Sequence, residues 1–295
     1  MSAIADVEIE EVGALHADRQ VARREIYREL LHSPAFVIGA LVLLFWIVCA
    51  IFGSLIAPHD PYAQSLLNIN KSPSSSHWFG TDQLGRDMFS RVIVGSRDIL
   101  VIAPLATLLG TVWGTALGLV MGYFRGAVDD VLGRVVEAFL ALPLIVTGVL
   151  ALAALGRSNA GLIIVIGIVF TPLIARTVRA AVLQERDLDY VSAARLRGEG
   201  SLYIMFVEIL PNVFSPIVVE FTVRLAYAIF TVLTLTFLGF GVQPPSPDWG
   251  LDIATNYGVV TAGFWWEVLF DALAIASLVV AVTLVSESIE GVLER

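Results

Sequence analysis

The stretch Tyr190-Val-Ser-Ala-Ala-Arg-Leu-Arg-Gly198 is a short polar interruption between two long apolar segments, and Leu210-Pro211 ends it. Asp187 or Asp189 is predicted to cap a helix that begins near Tyr190, because short polar side chains accept hydrogen bonds from the free N–H groups of a first turn. Gly198 suits the end of that helix, where the chain often takes a positive φ. The pattern predicts a helix, a sharp turn and a second helix.

The second helix of this interruption is predicted to begin at a Ser201 cap and to run through Ile209. Pro211 then suits the first turn of the next apolar segment, where a missing N–H is tolerated. Two interpretations stay open at this point. The segment is either an amphipathic helix lying on a membrane or an element that docks another subunit, since Ala193 and Ala194 allow close approach.

The composition of the whole chain is that of a membrane protein. Apolar residues make up 57% of the 295 residues and charged residues 15%, whereas a soluble domain has about 25% charged residues. The mean hydropathy is +0.81. About 20 apolar residues are needed to cross a bilayer, and continuous runs favour helices over barrel strands. We therefore predict an all-α protein with six transmembrane helices, at residues 35–57, 98–124, 131–155, 161–182, 213–242 and 268–290.

Arginines concentrate in the N-terminal tail and in the connection that contains Arg195 and Arg197, so both termini are predicted to be cytoplasmic. This topology divides the chain into a cytoplasmic tail (1–34) and a transmembrane domain (35–295). Within that domain lie an external loop (58–97) and a cytoplasmic loop (183–211). The tail is mixed and charged, unlike a cleavable signal.

Several functions are excluded by missing residues. The single lysine, Lys71, follows Asn70, so the chain has no phosphate-binding G-x-x-x-x-G-K-[ST] loop and cannot hydrolyse ATP by that route. No histidine lies in a predicted span, and no metal site is predicted. Hydrolase signatures are missing, and the lone Cys49 excludes an intrachain disulfide. The net charge of −9 comes without a basic cluster, so nucleic acid is not expected as a partner.

The polar interruption resembles the signature of the membrane subunits of ATP-binding-cassette importers, which is E-A-A, three residues, G, nine residues, I-x-L-P. Here Ser192 replaces the glutamate and Glu208 the isoleucine, while the alanines, the glycine and Leu-Pro keep their spacing. The resemblance implies that an ATPase subunit is contacted by this loop, at Ser192, Ala193, Ala194, Arg195, Gly198, Leu210 and Pro211.

A second run, residues 79–91, resembles the F-G-T-D-x-L-G-R-D-x-x-S-R run of the dipeptide and oligopeptide permeases. The external motif residues are Gly80, Thr81, Asp82, Gly85, Arg86, Asp87 and Arg91. Residues 237–245 and Trp249-Gly250 also match this subfamily. From the residues themselves we expect a short interfacial helix before the second span, whose arginines pair with acids or reach the lipid headgroups. Either a structural lid or a substrate contact fits this run.

The resemblance covers residues 35–295 and implies the C-type permease of a type I importer. It implies a bacterial inner-membrane protein that is not an enzyme and carries no cofactor. Its implied partners are a B-type permease, two ATPase subunits that bind ATP and Mg²⁺, and an external solute-binding protein. The solute is expected to be a di- or oligopeptide, with a nickel complex, glutathione or an oligosaccharide as alternatives. An ion-coupled secondary carrier is the alternative from another class, and it predicts titratable networks inside the membrane.

Charges inside the spans are treated as functional hypotheses. Glu220 and Arg224 are four residues apart and share a helix face, in the favourable order for an ion pair. They form either a self-neutralising pair facing a partner subunit or a part of the translocation path. Glu137 is a further candidate for the path. Asp98 and Asp271 lie at span ends and are expected to be solvated.

Overall fold

A computed structural model describes residues 28–293, so most of the predicted tail, residues 1–27, lies outside the described residues. The described part is helical apart from its loops and one isolated bridge between Thr81 and Asp87. The helices are α1 (Pro34–Ile56), α2 (Met88–Phe124), α3 (Gly126–Leu140), α4 (Leu144–Leu155), α5 (Asn159–Glu185), α6 (Asp189–Leu196), α7 (Ser201–Tyr203), α8 (Phe214–Phe237), α9 (Trp249–Asn256) and α10 (Trp266–Leu293). A π-helical segment, Ile204–Ile209, continues α7. Short 3₁₀ segments lie at Leu66–Asn68 and Tyr257–Ala262.

Five of these helices are long and apolar enough to cross a membrane: α1, α2, α5, α8 and α10. A sixth crossing is formed if α3 and α4 count as one span, and these two helices meet at 90°. The apolar run predicted as the third span (131–155) is therefore interrupted by a sharp bend. Pro143 lies directly before α4 and restricts the residue before it, which ends α3 at Leu140.

The second span is longer than predicted. The helix α2 begins at Met88 and runs for 37 residues, about 55 Å at 1.5 Å per residue, compared with a hydrocarbon layer of about 30 Å. Residues 88–97, placed in the external loop by the sequence analysis, are its first turns. A separate interfacial helix is not formed there.

The closest helix packing in the described chain joins α2 to α5. Four glycines of α2 recur at every fourth residue: Gly110, Gly114, Gly118 and Gly122. A Cβ on Gly114, Gly118 or Gly122 would lie 2.7 Å from the side chain of Ile174, Val178 or Val182, respectively. Small residues at this spacing let two backbones approach, which favours helix association in lipid. The two helices therefore form the centre of the bundle.

The remaining spans surround this pair. α8 packs on both α2 and α5, and α10 packs on α8. α1 lies outermost against α2 and α10, where the Trp46 indole donates to Ser277 Oγ at 2.9 Å. Residues 57–87 and α9 lie at the end of the bundle where α2 begins. The helices α6 and α7 lie at the other end, where α2 ends.

Candidate functional site

The loop between α5 and α8 folds as a helical hairpin, although its caps differ from those predicted. The residue before α6 is Leu188, and no side chain caps that helix. Asp187 instead bonds Arg125, with Arg125 Nη2 2.6 Å from Asp187 Oδ2. Ser201 does not cap α7 either, because Gly200 occupies that position. Pro211 lies in a turn before α8 rather than in its first helical turn.

Gly198 ends α6 as predicted, with a φ of +81°. The N–H of Gly198 donates to Arg195 O at 3.0 Å, and the N–H of Glu199 donates to Ala194 O at 3.2 Å. This pair of bonds is the Schellman pattern, which requires a left-handed residue at the position of Gly198. No atom lies within 4 Å of a Cβ built on Gly198, so backbone conformation alone selects glycine there.

The hairpin has a buried side and an exposed side. Val191 and Ala194 are fully buried, with Ile204, Met205 and Ile209 of the second arm. Of the two alanines that were predicted to allow close approach, Ala194 therefore packs inside this chain and Ala193 lies on the exposed side. Leu196 is 90% exposed. The exposed residues of the first arm and its turn are Ser192, Ala193, Arg195, Leu196, Arg197, Gly198 and Gly200, and those of the second arm are Leu202, Tyr203, Phe206 and Val207.

Three contacts tie this hairpin to the end of α2. Arg186 Nη1 donates to Tyr123 O at 2.5 Å. The Arg195 guanidinium lies 5.5 Å from the centre of the Tyr123 ring, and Arg125 pairs with Asp187 as described above. Burial lowers the pKa of Arg186, and the nearby Arg125 and Arg195 charges act in the same direction. These contacts join α6 and the residues before it to the end of α2.

The two departures from the importer signature have different environments. Glu208 accepts from Arg197 Nη2 at 2.7 Å, which joins the two arms of the hairpin across the glycine turn. Ser192 is exposed and no structural reason for it is found. At the base of the hairpin, the Tyr190 hydroxyl donates to Glu185 Oε2 at 2.7 Å. Burial, and then this hydrogen bond, raise the pKa of Tyr190 to about 12.

At the opposite end, residues 80–87 form a tight turn before α2. Gly80 and Gly85 both have positive φ. A Cβ on Gly85 would lie 2.0 Å from Ser65 O, so the loop packs against this glycine directly. Thr81 joins the turn to the loop before it, since its hydroxyl donates to Asn68 O and accepts from the N–H of Lys71.

The charged residues of this turn pair with acids, as expected, but they are buried rather than near lipid headgroups. Asp82 Oδ1 accepts from the N–H groups of Leu84 and Arg86, and Oδ2 accepts from Arg86 Nε at 2.6 Å. Arg91, which is 0% exposed, donates through Nε to Asp252 Oδ2 at 2.8 Å and through Nη2 to Asp252 Oδ1. It also donates to Pro61 O and Ser246 O, both at 3.0 Å.

This buried cluster contains acids that the sequence analysis missed or misplaced. Asp252 of α9 was not singled out, although an acid close after Trp249-Gly250 was a possible signal. Asp271 was expected to be solvated and is fully buried, near the charges of Arg91 and Asp252. Asp98 is half-buried and accepts from Ser246 Oγ. Burial raises the pKa of Asp248, the residue that caps α9, to about 7.

The charges inside the spans fall in two places. Arg224 Nε donates to Glu220 Oε1 at 2.6 Å, which confirms the local pair, and Thr177 Oγ1 donates to Glu220 Oε2 at 3.3 Å. Both oxygens of Glu220 are thus occupied within this chain. Glu137 is exposed and lines a separate groove of about 500 Å³ with Arg134, Arg176 and the Arg179–Asp129 pair.

Comparison with family models gives two matches. Residues 114–295 match the model described as binding-protein-dependent transport system inner membrane component. Residues 23–73 match the N-terminal transmembrane domain of oligopeptide transport permease C.

Relatives match over nearly the full chain. The di/tripeptide transport system permease protein DppC of Pseudomonas aeruginosa is 35% identical, over 92% of this chain and 91% of its own length. DppC of Bacillus subtilis is 32% identical over 92% and 85%, respectively. The glutathione transport system permease protein GsiD of Pectobacterium atrosepticum is 34% identical over 92% and 90%.

A solved structure of the MetNI methionine ABC transporter shares the fold. It matches with a TM-score of 0.58 at 18% sequence identity, over 70% of this chain and 98% of the matched chain. The helices described above thus have the arrangement of an importer's membrane subunit.

Proposed function

Because this chain belongs to the family of binding-protein-dependent transport system inner membrane components, we propose that the solute it transports is a di- or oligopeptide. The observation that carries this proposal is the similarity, over about nine-tenths of the chain, to permeases named for di- and tripeptide transport. Permeases of this family are transmembrane subunits of ATP-driven importers, and they are not enzymes, since separate subunits hydrolyse ATP.

The family implies ATPase and solute-binding partners. The proposed assembly is more specific. This chain, as the C-type subunit, pairs with a B-type permease, and each forms half of the path. Two cytoplasmic ATPase subunits bind ATP and Mg²⁺, and both termini of this chain face the same side as they do. The match of residues 23–73 to the oligopeptide permease C domain supports the C-type assignment.

The hairpin α6–α7 is the proposed ATPase contact. Its exposed side presents Leu196 beside Arg195, an apolar side chain next to a cation that can enter a groove on a partner, while Arg197 pairs with Glu208 within the hairpin. Ser192, Ala193 and Gly198 form the rest of this surface, while Ala194, Leu210 and Pro211 shape the hairpin from within or behind. ATP binding closes the ATPases and moves the hairpin, and the outward-facing state gains population because the partner holds the hairpin differently in the two states.

Transmission from this hairpin to the spans is supported by its contacts with α2. The Arg186–Tyr123 hydrogen bond and the Arg125–Asp187 pair connect it to the helix whose other end carries the external motif. Because α2 is continuous from Met88 to Phe124, it can carry a displacement from one end of the bundle to the other.

The proposed path lies along α8, which carries Glu220 and Arg224. Their mutual pairing leaves the pair with little net charge, so its contribution to the path is structural rather than a solute contact. Glu137 lies on α3, next to the 90° break, and its groove is open to a partner or to the path. The external motif acts as a lid that joins the loop after α1 to the helices α2 and α9.

Glutathione is the second candidate solute, because one relative of similar identity is named for its transport. Reconstitution tests both. The complete complex, placed in liposomes with its binding protein, is offered a labelled dipeptide, a hexapeptide, glutathione and a nickel complex, with ATP supplied to the ATPase side. We expect ATP-dependent uptake of the peptides. Uptake of the nickel complex alone would overturn the peptide assignment, and uptake driven by an ion gradient without ATPases would overturn the importer mechanism.

A further inference from the structure

Three potential metal ligands converge at the external end of the bundle, although no metal site was predicted from the sequence. His59, His77 and Asp87 come from the residue stretch after α1, the turn at residues 74–80 and the cap of α2. Their nearest ligand atoms all lie within 4.8 Å of one another. His77 Nδ1 is 2.8 Å from Asp87 Oδ1, and His59 Nδ1 is 3.7 Å from Asp87 Oδ2.

These distances are close to those of a transition-metal site. Zinc binds His nitrogen and carboxylate oxygen at about 2.0–2.2 Å, so two ligands of a tetrahedral ion are separated by about 3.4 Å. The His77–Asp87 distance is shorter than this and the His59–Asp87 distance is slightly longer. The His59 side chain is 44% exposed, so it is free to make the remaining adjustment.

The ligands are held in place by a shared residue. Ser90 Oγ donates to Asp87 Oδ2 at 2.7 Å and accepts from the N–H of His59 at 3.2 Å. The N–H of Ser90 donates to the same carboxylate oxygen at 2.9 Å. Outer contacts that orient ligands before the ion arrives strengthen metal binding. His77 is fixed in its turn, because its carbonyl accepts from the N–H groups of Ser74 and Gly80.

We propose that His59, His77 and Asp87 form a binding site for a divalent transition ion, Zn²⁺ first among them. Two imidazoles and a carboxylate favour zinc, copper or nickel over Mg²⁺ and Ca²⁺, which prefer oxygen ligands. The half-exposed position of His59 leaves the fourth coordination position to water. The ion joins three separated segments of the chain, and so fixes the external loop to the start of α2.

The test uses the full chain, purified in detergent without a histidine tag and stripped of metal with a chelator. Zinc is then titrated by calorimetry, and bound metal is counted after gel filtration. We expect one zinc per chain, no competition from millimolar Mg²⁺, and an X-ray absorption spectrum with two imidazole ligands.

The variants are chosen to leave the fold intact. His59→Gln removes an exposed ligand, and His77→Gln keeps a donor for Asp87, whereas Asp87 itself is avoided because it caps α2. Each should weaken zinc binding by about ten-fold or more and reduce the zinc-induced rise in the unfolding midpoint. His32→Gln, at an exposed histidine before α1, is the matched control and should bind like wild type. Wild-type protein without stoichiometric zinc, or His59→Gln binding as tightly as wild type, would refute the site.

Discussion

Arg91 at the start of α2 and Asp252 on α9 form a bidentate ion pair in which neither side chain is more than 1% exposed. They are separated by 161 residues in the sequence, and their pairing joins the external motif to the loop before the last span. A buried charge without a partner is costly, whereas an apolar replacement of both partners often is not.

Asp252→Asn should therefore destabilise the chain by about 3–5 kcal/mol, because it leaves the Arg91 charge buried without its counter-charge. The double variant Arg91→Met/Asp252→Leu should lose less than Asp252→Asn does. Arg97→Met, at an exposed arginine of the same helix, is the control and should change stability by less than about 0.5 kcal/mol. Unfolding in mixed micelles measures all three. If Asp252→Asn and Arg97→Met lose the same amount of unfolding free energy, the Arg91–Asp252 pair does not contribute to stability.

Gly198→Val should uncouple the transporter. Valine at a φ of +81° costs about 1–2 kcal/mol or more, so the hairpin turn should rearrange while the spans remain folded. Gly200→Val is a close control, since both positions have open space for a side chain and Gly200 has a φ of −70°. The readout is ATP hydrolysis by the complete complex when the loaded binding protein is added. If stimulation is the same in both variants, the hairpin is not the coupling element.

Arg197 and Glu208 should act as a pair across the same turn. Because Arg197 is half exposed, each single charge reversal should change stability by no more than about 1 kcal/mol. Stimulated hydrolysis should fall in Arg197→Glu and in Glu208→Arg and recover in the double reversal. Failure of the double reversal to recover would show that Arg197 or Glu208 contacts the ATPase directly.

Glu220 and Arg224 can be tested by removing one charge or both. Glu220→Leu should cost about 3 kcal/mol, because it leaves an arginine without a counter-charge in a spanning helix. Glu220→Leu/Arg224→Leu should fold and transport nearly as well as wild type, since the pair is satisfied within the chain. Uptake by the reconstituted complex, normalised to folded protein, is the measurement. A folded double variant that no longer transports would show that the pair contacts the solute or a partner rather than acting structurally.

Asp248 should make stability depend on pH. Burial raises its pKa to about 7 from a usual value of 3.8, so the folded chain binds this proton more tightly than the unfolded chain does. The stabilising contribution is complete below about pH 4 and is lost as the pH rises to about 7, at up to about 1.4 kcal/mol per pH unit. Asp248→Asn keeps the oxygen that caps α9 and should flatten this slope, as followed by unfolding at several pH values. A mutant profile parallel to wild type would contradict the prediction.

Hydropathy predicted the spans well, because each span is one continuous apolar segment whose composition alone identifies it. The same signal could not reveal the break between α3 and α4, since Ala141-Leu142-Pro143 is as apolar as the helices on either side. The helix starts were also misjudged where a charged segment continues a span, as at Met88.

The environment of a site residue could not be predicted from the sequence where it depends on contacts with residues far away along the chain. Asp271 was expected to be solvated because it lies at the end of a predicted span, but residues of α9 and of the external motif pack around it and exclude water. Ala194 has a small side chain in either interpretation, and only the position of Ile204–Ile209 shows that it packs inward. The four glycines of α2, in contrast, carried a visible signal at every fourth residue that the sequence analysis did not use.

That row of glycines limits where this subunit can move. With no side chain between them, α2 and α5 have room for neither lipid nor water along their contact, and sliding one past the other would drive backbone into branched side chains. We therefore expect α2 and α5 to move together as one rigid unit when the subunit opens and closes. The hinges then have to lie elsewhere, at the right-angled corner between α3 and α4 and at the chain segments flanking α8.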